Sequence, residues 1–267
     1  KDLVGIYTWV NIGGLVAVFF APISGLFVST SSVVPVVRVL YFLFSLTMIT
    51  KTLITFKFCH ETRQGRIRRT ETKNVSIFHM LGEYRQLIPG LLHNRGVLKA
   101  VAVSVILYIT NIVNANFFSL YVTQRLGLSE NLLALFPILN AVVMLIFMVG
   151  IQHRISVTKF RIPLWIGLAL YGVAALVLIF SPEGNLGFVL IYVFVAAVAA
   201  ALVNPRKDAL LQLNINPQER ARLNALIMAS TVALSSPFGY LAGLLSSVDR
   251  RLPFAFAFVL FVAAMLV

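Results

Sequence analysis

Tyr108, Asn111 and Asn114 stand three residues apart in a mainly apolar run, and at helical spacing Ser104 and Tyr121 fall on the same broad stripe. A carboxamide deep in an apolar medium is costly unless hydrogen-bonded, so the stripe must face protein or a water-filled cavity. Two chemistries fit. The amides could line a cavity and hold a small molecule, or they could bond a neighbouring helix, which is worth about 0.6 kcal/mol on average in membranes. The same two readings apply to Asn140, beside Pro137 in a later apolar run, and to Asn11 near the start.

Other chemistry is scarce. The histidines are His60, His79, His93 and His153, and none stands at a metal-ligand spacing from Cys59 or an acid, so no metal is expected. There is no Ser/His/Asp set, no glycine-rich phosphate loop and no pair of carboxylates inside an apolar run. The sequence therefore predicts no enzyme, no catalytic residue and no cofactor. Asp2, Glu61, Glu71, Glu83, Glu130, Glu183, Asp208, Glu219 and Asp249 all lie in or beside connections. Carboxylates within membrane segments commonly relay protons, and these apolar runs have none.

The elements that would position the amides are eight apolar stretches: Leu3–Val28, Val33–Phe56, Val97–Val122, Leu132–Ile151, Ile162–Phe180, Leu186–Val203, Leu223–Leu245 and Leu252–Val267. A helix rises 1.5 Å per residue, so roughly 20 residues cross a ~30 Å hydrocarbon core. The expected class is an all-α polytopic membrane protein with eight transmembrane helices. Composition agrees, with 59% hydrophobic and 12% charged residues among 267 and a mean hydropathy of +0.92. Soluble domains carry about half apolar and a quarter charged residues.

The net charge of +13 sits mostly in alternate connections. Arg63, Arg66, Arg68, Arg69, Lys73, Arg85 and Arg95 follow the second stretch; Arg154, Lys159 and Arg161 follow the fourth; Arg206, Lys207, Arg220 and Arg222 follow the sixth. The other connections hold only Arg125, Arg250 and Arg251. The positive-inside rule then puts the basic loops and both ends of the chain in the cytoplasm, against the anionic leaflet of the plasma (inner) membrane, and argues against nucleic acid as partner. Arg38 and Lys51 stand near opposite ends of the second stretch, from which each can snorkel to the nearer headgroups. Cys59, the lone cysteine, lies at the cytoplasmic end of that stretch.

One connection is long, from His60 to about Asn94. Within it Ile77, Phe78, Leu81, Tyr84, Ile88 and Leu91 recur at three- and four-residue steps, which predicts an amphipathic helix in the headgroup region. A faint repeat flanks this loop. Pro22 and Gly25 precede a turn and then Pro35; Pro237 and Gly239 precede a turn and then Pro253. Mid-span prolines kink a helix, whereas one in the first turn costs nothing. Related halves are frequent in secondary transporters.

On these features the chain resembles the major facilitator superfamily of secondary transporters, over essentially its whole length. Two stretches, a long basic loop and six more resemble family helices five to twelve. The most local match is Asn204-Pro205-Arg206, Pro217 to Ala221, and Pro237-x-Gly239-x-x-x-Gly243, similar to the connection between helices ten and eleven and the small-residue face of helix eleven. The segment from Gly150 to Lys159 resembles the basic loop after helix eight, with His153 and Ser156 replacing its acid and glycine. Pro22 and Gly25 fit the proline and glycine motif of family exporters, although Thr8 and Leu26 stand where glycines are expected.

The resemblance implies an MFS-type bundle of twelve helices, four of them preceding Lys1, so that the sequence is a piece of a longer chain. It divides the residues into 1–58, the last two helices of an N-terminal half; 59–96, a cytoplasmic linker; and 97–267, the six-helix C-terminal half, truncated at its end. It implies a monomeric permease in the lipid bilayer that moves a small-molecule substrate by alternating access, leaning to efflux, with protons as candidate coupling ion. Arg154, Arg206, Asp208, Glu219 and Arg220 would form a cytoplasmic gate. Pro22, Gly25, Pro237, Gly239 and Gly243 would serve helix packing and hinging. Two alternatives stay open: an intramembrane enzyme acting on a lipid-linked substrate, and a non-transporting scaffold or receptor.

Overall fold

The computed structural model describes residues 3–18, 33–60, 63–72, 82, 93, 95–151, 161–213 and 220–267. Among them there are nine α-helices and no strand. The helices are α1 (Leu3–Val18), α2 (Val33–Phe58), α3 (Arg63–Thr72), α4 (Arg95–Leu120), α5 (Leu135–Gly150), α6 (Arg161–Ile179), α7 (Leu186–Leu213), α8 (Arg220–Val248) and α9 (Leu252–Leu266). The chain is all-α, and five helices are long and apolar enough to cross a membrane: α2, α4 with its last turn, α6, α7 and α8. At 16 and 15 residues, α5 and α9 are apolar but shorter; the 1.5 Å rise gives each roughly 22–24 Å. The amphipathic helix expected over Ile77 to Leu91, together with Pro22 and Gly25, lies outside the described residues.

Two compact units form, one from Lys1–Phe19 with Pro89–Val267, the other from Phe20–Ile88. In the second, α2 exposes Tyr41, Phe42, Phe44 and Phe56, an apolar surface suited to lipid. The hydroxyls of Ser45, Thr50, Thr52 and Thr55 donate to carbonyls four residues earlier, so the helix satisfies them internally, as hydrocarbon requires. Helix α3 was not foreseen in the long loop. Its Arg, Gln and Glu are good helix formers.

The larger unit is organised around α7, which packs against α6, α5, α1 and α4, while α9 packs on α6 and α4, and α8 on α4. Small side chains allow this. Ala197, Ala199 and Ala201 are fully buried on α7, and short residues let backbones approach. Among the described glycines the closest approach is at Gly167 of α6, where a Cβ would lie 2.5 Å from Val203 Cγ2. Met144 and Met148 of α5 join the alanine surface, and Ile12 and Leu15 seat α1 beside them.

One end of this unit is closed by a set of turns. Helix α4 finishes in a wide turn, Tyr121–Arg125, in which the Leu126 N–H donates to the Tyr121 carbonyl. Gly127 then takes φ +67°, the left-handed conformation that stops a helix. The Gly184 N–H, in the turn between α6 and α7, donates to the Leu126 carbonyl at 2.8 Å. The Tyr121 hydroxyl donates to the Leu178 carbonyl at 2.8 Å, and Arg125 pairs with Glu183.

Apart from α1, whose stretch runs on to Val28 beyond the described residues, the helices start and stop within about three residues of the apolar stretches, with α7 the exception. The sixth stretch ends at Val203, and Asn204-Pro205-Arg206 was expected to begin a connection; α7 instead runs on to Leu213 with Pro205 inside it. Proline removes a single helical N–H. Arg206, only 2% exposed, donates from Nη1 to the Leu202 carbonyl at 2.9 Å, and the helix continues past the break. Pro237 likewise lies inside α8. Pro137 stands in the first turn of α5, where no N–H partner is needed.

Candidate functional site

Helices α4, α5, α6, α7 and α9 line an open cavity of about 300 Å³, in whose wall Asn111 and Asn114 are exposed. From α4 come Thr110, Asn111 and Asn114; from α5, Asn140; from α7, Tyr192 and Asn204; and from α6, Tyr171. Ala174, Ala175, Ala196 and Ala200 leave the space open, and Phe254 and Phe261 of α9 close one side. A second cavity of about 400 Å³ adjoins it and shares Asn114, Asn140, Tyr192 and Ala196. The rest of its wall is mainly apolar, including Leu15 and Val18 of α1 with Phe118, Leu133 and Phe136.

The Tyr192 hydroxyl donates to Asn114 Oδ1 at 2.7 Å, linking α7 to α4 where the two cavities meet. The Tyr192 ring is held by Phe118, stacked at 5.4 Å between centroids. Tyr171 stacks on Phe261 at 5.0 Å with the rings 2° from parallel. Thr110 donates to the Leu107 carbonyl of its own helix. Among the described residues the side chains of Asn111, Asn140 and Asn204 form no hydrogen bond. Among the described residues the lining presents four carboxamides and two phenols, and no carboxylate, ammonium or guanidinium.

Of the residues singled out from sequence, Asn111, Asn114 and Asn140 come together here. Tyr108 is 41% exposed and stands outside both linings. Ser104 donates to the Ala100 carbonyl, and Tyr121 is buried beyond the cavity. Asn11 lies on α1 and donates to the Tyr7 carbonyl at 2.7 Å, a bond within its own helix. Asn204, Tyr171, Tyr192 and Thr110 were not foreseen. Asn204 had been read as part of a connection, and the tyrosines sit in strongly apolar runs where an aromatic reads as core.

Arg154 and Glu219, two of the five gate candidates, lie outside the described residues. Arg220 opens α8. Arg206 bonds the Leu202 carbonyl, and Asp208 pairs with its neighbour Lys207 at 3.2 Å. Nearby, Gln212 Nε2 donates to Asn224 Oδ1 at 2.9 Å and ties α7 to α8. Among the glycines, a Cβ on Gly239 would make ordinary contact with Ile112 at 3.7 Å, and one on Gly243 would meet nothing within 4 Å. Close helix approach is instead a property of Gly167 and the α7 alanines. The described residues hold no group of three His, Cys, Asp or Glu able to bind a metal.

No family model, curated protein or solved structure matches the chain.

Proposed function

We propose that this chain is part of a membrane transporter of the major facilitator type, carrying a small molecule by alternating access. The observation that supports this best is the cavity within the helices, into which three helices direct carboxamides from otherwise apolar runs. Polar side chains in membrane segments are costly and mark substrate paths. Ligand sites are largely apolar cavities with a few convergent polar groups. A static bundle needs its amides bonded between helices, whereas Asn111, Asn140 and Asn204 keep theirs turned to open space.

In this reading the eight apolar stretches are eight spans of an MFS bundle, residues 59–96 link two halves, and 97–267 form the later half. The protein is a monomeric permease of the plasma membrane with basic loops in the cytoplasm, leaning to efflux, with protons as coupling ion. Substitution of Asn111 and Asn114 by Leu tests it. Transport and ligand retention should be lost while the folded protein is still made. Full transport by the double variant would remove Asn111 and Asn114 from the substrate path. An imposed pH gradient should drive substrate movement in vesicles, and indifference to it would exclude proton coupling.

A further inference from the structure

We propose that α3 is a docking surface for anionic phospholipid headgroups, held against the leaflet in which α2 ends. The inference needs only that α2 lies in a bilayer, so it stands or falls apart from the transporter reading. Helix α3 carries Arg63, Arg66, Arg68 and Arg69 against one acid, Glu71. At 3.6 residues per turn, positions 63, 66 and 69 step round the helix by about 60° each. Three arginine positions therefore share one stripe about 120° wide, and position 71 falls on the other side. Arg66, Arg69 and Thr70 on that stripe are exposed, as is Ile67 at its edge. The positive-inside rule counts Lys and Arg near the end of a span whatever their arrangement. It accounts for the charge of this segment but not for the gathering of three arginine positions on one side, which suits a partner met by one face.

The place where α3 is tied identifies that partner. Helix α2 exposes apolar side chains along its length and ends in Phe56, Lys57 and Phe58, with the Lys57 ammonium 5.6 Å from the centre of the Phe58 ring. A lysine at the end of a span reaches the headgroups. Only residues 59–62 separate α2 from α3, so even a fully extended connection lets α3 begin no more than roughly 18 Å from Phe58. The helix itself is about 15 Å long. An anionic leaflet attracts Lys and Arg within about one Debye length, roughly 8–10 Å, and a helix lying along the leaflet brings the whole stripe into that range together. Guanidinium groups suit the phosphates found there, because each can donate two parallel N–H bonds to one phosphate. An acidic segment of a soluble protein offers the same charge, but it must be captured from solution, whereas the leaflet is already within reach.

The test uses the whole chain with Cys59→Ser and Ile67→Cys, a nitroxide on the introduced thiol, in nanodiscs of phosphatidylcholine alone or with one-third phosphatidylglycerol. The immobilised and mobile components of the electron spin resonance spectrum give the ratio of docked to free α3. Each basic residue near an anionic surface contributes about fivefold. The ratio should therefore be at least about 25-fold higher in the anionic discs, and it should fall back when salt is raised from 0.1 M to 1 M, which shortens the Debye length from about 10 Å to about 3 Å. Arg66→Gln with Arg69→Gln, which keeps good helix formers, should remove about 25-fold. Arg66→Lys with Arg69→Lys keeps the charge and should keep most of the docking. Arg68→Gln, off the stripe by its position in the helix, should cost less than about fivefold. Equal spectra in neutral and anionic discs overturn the inference and assign the stripe to an aqueous partner. Loss as complete in the Lys pair as in the Gln pair overturns it too, since the leaflet reads charge. An Arg68→Gln loss as large as that of the Gln pair denies the stripe.

Discussion

Gly167 is the most closely packed of the described glycines, and replacing it with Ala tests whether the cavity walls are held by that contact. The added methyl would lie 2.5 Å from Val203 Cγ2, 3.2 Å from Leu202 Cβ and 3.4 Å from the Ala199 carbonyl oxygen. Carbon atoms rest about 3.5–4.0 Å apart. Either α6 must retreat by roughly 1 Å or Val203 must leave its rotamer, and a β-branched side chain has few rotamers to choose from. Overpacking of this kind costs about 1–3 kcal/mol. Against it stands the helix propensity gained in exchanging Gly for Ala, up to about 1 kcal/mol.

Gly243→Ala separates the two contributions. It gains the same propensity in α8, and its Cβ meets nothing within 4 Å. The difference between the variants therefore isolates the clash, and Gly167→Ala should be less stable than Gly243→Ala by about 1–3 kcal/mol. Reversible unfolding in mixed micelles, followed by circular dichroism, measures it. The consequence for the cavity is local. Tyr171, Ala174 and Ala175 follow Gly167 along α6 and share the lining with Tyr192, Ala196 and Ala200 of α7. A widened seam should weaken ligand retention in Gly167→Ala and spare it in Gly243→Ala. Equal unfolding midpoints for the two variants would refute the reasoning, because the close approach of α6 to α7 would then not exist.

The Tyr192–Asn114 bond should appear in a double-mutant cycle of Tyr192→Phe and Asn114→Ala as a coupling of about 0.6 kcal/mol, the membrane average, and at most about 1.7 kcal/mol; strictly additive effects on unfolding would deny the bond. Cys59 is exposed, so an impermeant maleimide should miss it in intact cells and label it after permeabilisation, and labelling of intact cells would reverse the proposed orientation. Arg154→Ala should slow transport without loss of folded protein if Arg154 serves the gate, since surface ion pairs in general hold only about 0–1 kcal/mol each; an unchanged rate would remove it from that role.

Most helix positions were legible because hydropathy alone sets them. Helices α2, α6 and α9 begin within one residue of their apolar stretches, since a run of apolar side chains long enough to fill a bilayer has no alternative to a helix. The failure at α7 has a specific cause. Hydropathy falls at Asn204-Pro205-Arg206, and a polar triplet containing proline reads as a connection. The helix nevertheless runs through Pro205 to Leu213, although proline removes one N–H and its ring crowds the carbonyl four residues back. Misplacing that boundary also hid Asn204, which inside a helix becomes a cavity residue.

The stripe on α4 was half legible for a geometric reason. At 3.6 residues per turn, Tyr108 and Asn114 lie about 60° to either side of Asn111 and so about 120° apart. One wall cannot take both. Leu107, Thr110 and Val113 line the cavity along with Asn111 and Asn114, so the open space lies on the Asn114 side and Tyr108 is left outside. Spacing fixes the angles among residues of one helix but not the direction of its neighbours, and that direction is set by which faces can approach. Here the alanines of α7 and Gly167 of α6 decide it. They draw neighbouring helices onto α7, and Asn111, Asn140 and Asn204 converge as a result. The small residues, which carry no chemistry themselves, are what turn scattered amides into a site.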